Sequence, residues 1–341
     1  MEEPLIRPDA GLDERGLEIA LRPRGFDEFV GQPQVKRNLA VYIAAARERG
    51  DPLDHLLLSG LPGLGKTTLA EIVAREMGGT LHTTSGPALD KPGDLAGLLT
   101  NLERGDVLFV DEIHRLPAQV EEFLYSAMED FAIDIVLDQG PRARSVRIDV
   151  APFTLVGATT REGLLSPPFR DRFGVLERLE PYPVEDLTQI LARSARLLEV
   201  ALDAEGALAL ARNARGTPRI ANRFLRRIRD LAQVERAAAV DPELVRRGLA
   251  MLGVDDDGLL RVDRRVLETI ASAGGIPVGL KTLAITVGED ERTLEDVYEP
   301  HLIRRGLILK TPRGRILTPR AAELLGAPAP PEQRGLFDAE E

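Results

Sequence analysis

A chain of 341 residues is longer than one ordinary hydrophobic core organises, so more than one domain is expected. Hydrophobic residues make up 43% and charged residues 29%, a soluble balance, and the absence of cysteine excludes disulfides, thiolate metal sites and cysteine nucleophiles. The net charge of −11 weighs against a nucleic-acid partner only while basic residues stay dispersed; the polar, acidic start and the lack of a long apolar run predict a cytoplasmic protein with no membrane partner.

In chain order, His55–Ser59, Val107–Val110 and Thr154–Gly157 are largely apolar without polar alternation, as strands buried on both faces are. Between them Leu69, Ile72, Val73 and Met77 fall on one helical stripe, as do Val120, Leu124 and Met128. Alternation over Ile133–Leu137 and again over Val146–Ile148, about Gln139-Gly140-Pro141, predicts an inserted β-hairpin. After Pro181-Tyr182-Pro183 the chain reads as helical to Gly253, punctuated by Gly216-Thr217-Pro218. Asp255-Asp256-Asp257-Gly258 marks a second joint. Beyond it come three short helices, the last over Thr293–Arg305, and a basic hairpin turning at Pro312-Arg313-Gly314. The expected domains are therefore a large α/β domain over 1–183, a small helical domain over 184–254, a winged-helix domain over 255–326 and a disordered proline-rich tail over 327–341.

The chemistry begins at Gly60-Leu61-Pro62-Gly63-Leu64-Gly65-Lys66-Thr67, which satisfies G-x-x-x-x-G-K-[ST] between a strand and a helix. Gly60, Gly63 and Gly65 let backbone N–H groups turn inward onto phosphate oxygens, where a Cβ would obstruct them. Lys66 would neutralise the β- and γ-phosphates and the Thr67 hydroxyl would ligate Mg²⁺. Asp111, ending the strand Val107–Val110, would hold the metal through water, and Glu112 would polarise the attacking water. A paired Asp-Glu with no acceptor pocket points to a hydrolase of ATP rather than a kinase. His114, close behind, is assigned no chemistry. Thr159 and Thr160 end a strand, Arg170 and Arg172 lie in PFRDRFG, and Arg219 begins a helix in GTPRI. Spacing alone leaves each of these balanced between a nucleotide-sensing role and a solvated side chain.

The phosphate loop, DEIH, GATTR, FRDRFG and GTPR in this order resemble the AAA+ superfamily. LRPRGFDEFVGQ, SGPALDKPGDLAGLL, YSAMEDFAIDIVLDQGP and EPHLIRRGLILKTPRGR make the chain similar, from about Leu21 to Arg320, to the RuvB family of bacterial Holliday-junction branch-migration ATPases. It departs at Leu61, where the family usually carries proline and only the backbone is used. The resemblance implies an AAA+ P-loop ATPase domain with a parallel sheet, a helical lid and a C-terminal winged helix. It implies that Lys66, Thr67 and Thr68 bind phosphates and metal, and that Asp111 and Glu112 are the Walker B pair. Thr160 would be the first sensor and Arg219 the second. Arg172 would be a finger reaching a neighbouring subunit's nucleotide, and Leu21, Arg22 and Tyr182 would surround the adenine. It further implies a hexameric ring on duplex DNA at four-way junctions, in recombination and repair, and a RuvA-like junction-binding partner docking on the hairpin at about 131–150.

The DNA end can be read independently. From His301 to Arg320 the residues Arg304, Arg305, Lys310, Arg313, Arg315 and Arg320 occur with no acid among them. A hairpin presenting Lys310, Arg313 and Arg315, with Arg292 grouped beside them, suits a phosphate groove without base-reading side chains. Of the cluster Arg212, Arg215, Arg219, Arg223, Arg226, Arg227 and Arg229, Arg219 is already claimed by nucleotide, and the rest are expected to pair with acids of a neighbouring domain or subunit. Three competing readings are weighed. A protein unfoldase would need an aromatic loop that Thr68–Asp111 lacks outside the strand, and a clamp loader would carry Ser-Arg-Cys where Asp171-Arg172-Phe173 stands. A nucleotide-gated DNA-binding switch of the initiator type is the third, and only sustained turnover separates it from a motor. Gln333-Arg334-Gly335-Leu336-Phe337 resembles a sliding-clamp docking peptide.

Overall fold

Strand order brings the motif-bearing turns of the sequence to one edge. The computed structural model describes residues 16, 19–136 and 145–328. The hairpin tip, the chain's start and the tail from 329, with its clamp-like peptide, lie outside them. The chain divides into two compact units, 1–225 and 226–341, the division falling within the helix Pro218–Glu235.

In the first unit β1 (Leu56–Ser59), β2 (Leu81–Ser85), β3 (Val107–Asp111), β6 (Thr154–Thr159) and β7 (Val175–Arg178) form one five-stranded sheet in the order β2-β3-β6-β1-β7. Every pairing is parallel. β1 and β6 are buried along their whole length, and β3 up to its terminal Asp111. That is why those three runs carry no polar alternation. The register pairs Ser59 with Thr159 and Val110 with Gly157, so the carboxyl ends of β1, β6 and β3 lie level and adjacent. Open parallel sheets bind ligands at such an edge.

The helix Pro33–Arg49 starts with proline in its first turn and stops at Gly50 in the left-handed region (φ 73°). Lys66–Met77 stops the same way at Gly78. Leu57, Leu108, Val110, Leu124, Phe153, Leu155, Phe169 and Phe173 pack into one core under the sheet, each contributing about 1.5–3 kcal/mol by burial. β2 and β7 were not expected from the sequence. Both are edge strands: β2 is only half-buried, and β7 alternates, burying Val175 and Glu177 while exposing Leu176 and Arg178.

The inserted hairpin is present as β4 (Ala132–Val136) and β5 (Ser145–Asp149), antiparallel with Ile133 opposite Ile148. It follows the helix Ala118–Asp130 through Phe131, whose φ of 49° makes the sharp exit. The helices Val184–Leu197 and Ala204–Asn213 complete this unit, the second capped by Asp203, whose carboxylate accepts the Gly206 N–H.

The second unit holds Pro242–Met251, Arg261–Ser272 and Leu280–Val287, then Glu291–Thr293, a π-helical segment Leu294–Tyr298 and Glu299–Arg304 in succession. β8 (Ile308–Thr311) and β9 (Gly314–Leu317) form the wing, closed by Pro312-Arg313. Val278 joins the wing through a single isolated bridge, exchanging backbone hydrogen bonds of 2.9 and 2.8 Å with Arg315. A Cβ on Gly314 would meet the Val278 carbonyl oxygen at 2.5 Å, and φ there is 141°, so only glycine fits. Among the described residues no helix is long and apolar enough to cross a membrane.

Candidate active site

The loop Gly60–Lys66 leaves β1 in conformations that need glycine: φ is 138° at Gly60, 79° at Gly63 and 106° at Gly65. Space enforces the same choice. A Cβ on Gly60 would lie 2.6 Å from the Leu179 carbonyl, and one on Gly65 would lie 3.2 Å from the Phe29 ring. A Cβ on Gly63 would come within 2.8 Å of Arg219 Cβ, so Arg219 packs directly on the loop. Lys66 begins the following helix and is buried; its Nζ donates to the carbonyls of Gly60 (2.8 Å) and Leu61 (3.0 Å). Burial pushes its ammonium pKa down, while the nearby carboxylates of Asp111 and Glu112 pull it up. Such a lysine meets phosphate already desolvated.

Thr67 and Thr68 sit in the first turn of that helix, Thr68 buried. Asp111, at the end of β3, accepts the Glu112 N–H through Oδ1 at 2.9 Å, and Glu112 itself adopts φ 50°. A non-glycine residue in that region carries local strain, and the Glu112 carboxylate lies 3.3 Å from His114 Nε2. Thr160 lies one residue past β6, half-buried, level with the start of the loop, whose Gly60 N–H donates to the Thr159 carbonyl at 3.2 Å. Tyr182 is buried, and its hydroxyl donates to the Leu64 carbonyl at 3.1 Å; burial, with Asp186 assisting and Gln32 opposing, pushes its pKa far above the ordinary tyrosine value. Leu21 is buried and its carbonyl accepts from Arg193 at 2.8 Å, while Arg22 pairs with Glu71 of the helix Lys66–Met77.

Thus Gly60, Gly63, Gly65, Lys66, Asp111, Glu112, Thr160, Tyr182 and Arg219 lie around one sheet edge. Arg172 is turned elsewhere, onto the helix Ala118–Asp130. Its guanidinium lies 4.3 Å above the Tyr125 ring, pairs with Glu129 at 3.0 Å and donates to the Pro168 carbonyl at 2.7 Å. Sequence reasoning missed Phe29 and Thr217 beside the loop, and Tyr125 and Glu129 beneath Arg172. It also set aside His114, whose side chain is only 7% exposed and reaches both Glu112 and Thr159. No local spacing signals these contacts; only DEIH hinted at the last.

The basic hairpin departs from expectation. Arg315 is buried, and its guanidinium donates to both carboxylate oxygens of buried Glu299, at 2.5 and 2.9 Å. Its cross-strand neighbour Lys310 is exposed but pairs with Glu295 at 2.9 Å. Glu295 and Glu299 stand one helical turn apart, so the helix presents acids at the pitch of the hairpin's cations. The absence of acids within His301–Arg320 concealed this, because the acids come from the preceding helix. Arg315 is therefore corrected from a displayed cation to a buried tie between helix and wing. Arg313, at the turn, and Arg292 are exposed.

Comparison with known proteins bears on both units. A family model described as the Holliday junction DNA helicase RuvB P-loop domain matches residues 21–179. Models of the RuvB AAA lid domain and the RuvB C-terminal winged helix domain match residues 182–255 and 256–326. The solved structure of the RuvB Holliday junction branch migration motor of Thermotoga maritima is 49% identical, covers 91% of this chain and 100% of its own, and superposes with a TM-score of 0.83. A lysine-to-arginine mutant of the same protein matches at 49% identity, 91% and 99% coverage and 0.83. A proline-to-glycine mutant matches at 49%, 91%, 100% and 0.84.

Proposed function

The chain belongs to the RuvB family of Holliday-junction helicases, and from that premise we propose how its own residues divide the work of an ATP-driven branch-migration motor. It binds and hydrolyses ATP, and it acts on Holliday-junction DNA. Family membership does not favour the nucleotide-gated initiator switch. One observation carries the assignment of roles: β1, β3 and β6 end side by side, gathering loop, carboxylates and sensor threonine at one edge.

Backbone N–H groups of the loop and Lys66 hold the phosphates, with Thr68 beside them. Leu21, Arg22 and Tyr182 flank the base. Mg²⁺ fits the donors present: Thr67 and Asp111 offer one hydroxyl and one carboxylate, and Mg²⁺ takes few protein ligands, keeping water and phosphate oxygens for the rest. When bound it neutralises charge developing on the transferred phosphoryl group. Glu112 polarises the attacking water, Thr160 senses the γ-phosphate from β6, and Arg219, packed on Gly63, couples the helix it begins to nucleotide state. Arg172 serves a neighbouring subunit in a hexameric ring, leaving Glu129 to do so. A junction-binding partner of the RuvA type docks on β4–β5. Arg313 and Arg292, with Lys310 secondary to them, track the phosphates of duplex DNA without reading bases. The motor works in the cytoplasm.

The test is steady-state ATP turnover with and without duplex DNA, for the native chain and Arg172→Ala. DNA should accelerate the native chain, and Lys66→Ala subunits should partly restore turnover to Arg172→Ala. Slow turnover that ignores both DNA and Arg172 would overturn the shared-site reading.

A further inference from the structure

The turn that follows Glu112 is gripped from two sides. A Cβ on Gly86 would lie 2.5 Å from the Glu112 carbonyl oxygen, and one on Gly157 would lie 2.9 Å from Ile113 Cδ1. Gly86 leaves room for that carbonyl, and Ile113 packs against Gly157 of β6, so the 3₁₀ turn Ile113–Arg115 beds onto that strand. Its middle residue, His114, thereby lies over the strand's end. Nδ1 of His114 is 2.9 Å from Thr159 Oγ1, and Nε2 is 3.3 Å from Glu112 Oε2. Thr159 is fully buried, and its Oγ1 also accepts the Arg161 N–H at 2.9 Å.

The carboxylate fixes the direction of these contacts. A hydroxyl has one hydrogen to give. The Glu112 carboxylate can only accept, whereas Oγ1 can take the Arg161 N–H and still give its own hydrogen to His114 Nδ1. The neutral imidazole then carries its hydrogen on Nε2, facing the Glu112 carboxylate. The other neutral tautomer would set a lone pair against that carboxylate. Of the two neutral tautomers, the form with hydrogen on Nε2 is the one that serves Glu112.

We infer that His114 and Thr159 are positioning residues that set the orientation of the Glu112 carboxylate according to the position of the β6 end. This rests on Glu112 being the water-polarising base. The same strand end carries Thr160, and the Thr159 carbonyl holds the Gly60 N–H of the phosphate loop at 3.2 Å. A shift of loop or sensor strand on nucleotide binding is thus passed to the base through Thr159 and His114. The 3.3 Å contact to Glu112 is long for a charge-assisted hydrogen bond, which leaves it room to tighten in the reacting complex.

The test is a set of full-length variants, measured for ATP turnover, for affinity toward a fluorescent ATP analogue and for thermal midpoint. His114→Ala and Thr159→Val should each lower kcat by roughly 10- to 100-fold, the scale of a misplaced catalytic group, with nucleotide affinity and thermal midpoint nearly unchanged. The double variant should be no worse than either single one, Thr159→Ser should restore turnover, and His114→Ala added to Glu112→Gln should change nothing further. Losses that multiply in the double variant, a fall in nucleotide affinity equal to that in kcat, or a further loss in the Glu112→Gln background would overturn the inference. Should Thr159→Val not fold, the His114→Ala comparison in the native and Glu112→Gln backgrounds decides alone. Full turnover by Glu112→Gln would instead remove the base itself, a failure of the underlying reading that the other variants do not imitate.

Discussion

The phosphate loop and the winged-helix hairpin are both glycine-bearing turns that hold cations, and their cations are treated in opposite ways. In the loop, Lys66 is buried against the carbonyls of Gly60 and Leu61, within electrostatic reach of Asp111 and Glu112. In the hairpin, Arg315 is consumed by Glu299 and Lys310 is shared with Glu295. A loop that works through its own backbone announces itself locally, because its glycines must fall within a few residues of one another. Charge offered to a partner is a remainder after intramolecular pairing, and the acids that do the pairing come from another element.

Four measurements would break or sharpen this contrast. The largest effect is expected on the nucleotide side, at the cation directed away from its own loop. Arg172→Ala should cut turnover by about 10³- to 10⁵-fold while ATP still binds, measured by single-turnover hydrolysis. A loss below tenfold would mean the cation serves only Tyr125 and Glu129.

Next comes the buried pair of the wing. Arg315→Ala leaves Glu299 buried and unpaired and should cost the winged helix about 3–5 kcal/mol, read by denaturant titration. Combining Glu299→Leu with Arg315→Met should recover most of it. A stable Arg315→Ala chain with weakened DNA binding would return Arg315 to the DNA surface.

Arg313→Ala makes the complementary case. Stability should hold, while the slope of log affinity for duplex DNA against log salt falls by about one unit without sequence preference. An unchanged slope would move the DNA contact off the turn.

The smallest effect is a pH dependence confined to the sheet. His55 is buried at the foot of β1; its Nδ1 accepts the Leu155 N–H at 2.9 Å and its Nε2 faces the Met128 carbonyl at 3.1 Å. Burial holds its pKa below the ordinary value, with the Met128 carbonyl and Asp54 opposing. The unfolded chain therefore takes up a proton before the folded one does. This contribution is full above about pH 6.5 and is lost as pH falls from there through the folded value. Thermal midpoints between pH 8 and 5 should fall more steeply for the native chain than for His55→Asn, and equal slopes would remove His55 from the account.

Legibility followed the same division. The central strands were readable because burial on both faces leaves an unbroken apolar run, and the hairpin β4–β5 because alternation is its own signal. The edge strands were not: LHTTS is half-buried and contains His82, which pairs with Asp106 at 2.9 Å across the sheet edge, and VLER buries a glutamate that accepts from Asn38 at 2.8 Å. At the site, the phosphate loop and the Asp-Glu pair stood out as compact motifs. Phe29 against Gly65 and Tyr125 beneath Arg172 did not, since packing partners far apart in sequence share no spacing.

By itself the sequence determined the phosphate loop, the carboxylate pair, the parallel α/β class and the presence of a winged helix. Each rests on constraints that act within a few residues: backbone freedom at glycine, hydrophobic period and turn chemistry. Only the tertiary structure decided which cations remain exposed on the wing, where Arg172 rests, and that His114 joins Glu112 to Thr159. Those outcomes depend on which side chain arrives from a distant segment to claim a hydrogen or a charge, and such claims are settled by packing.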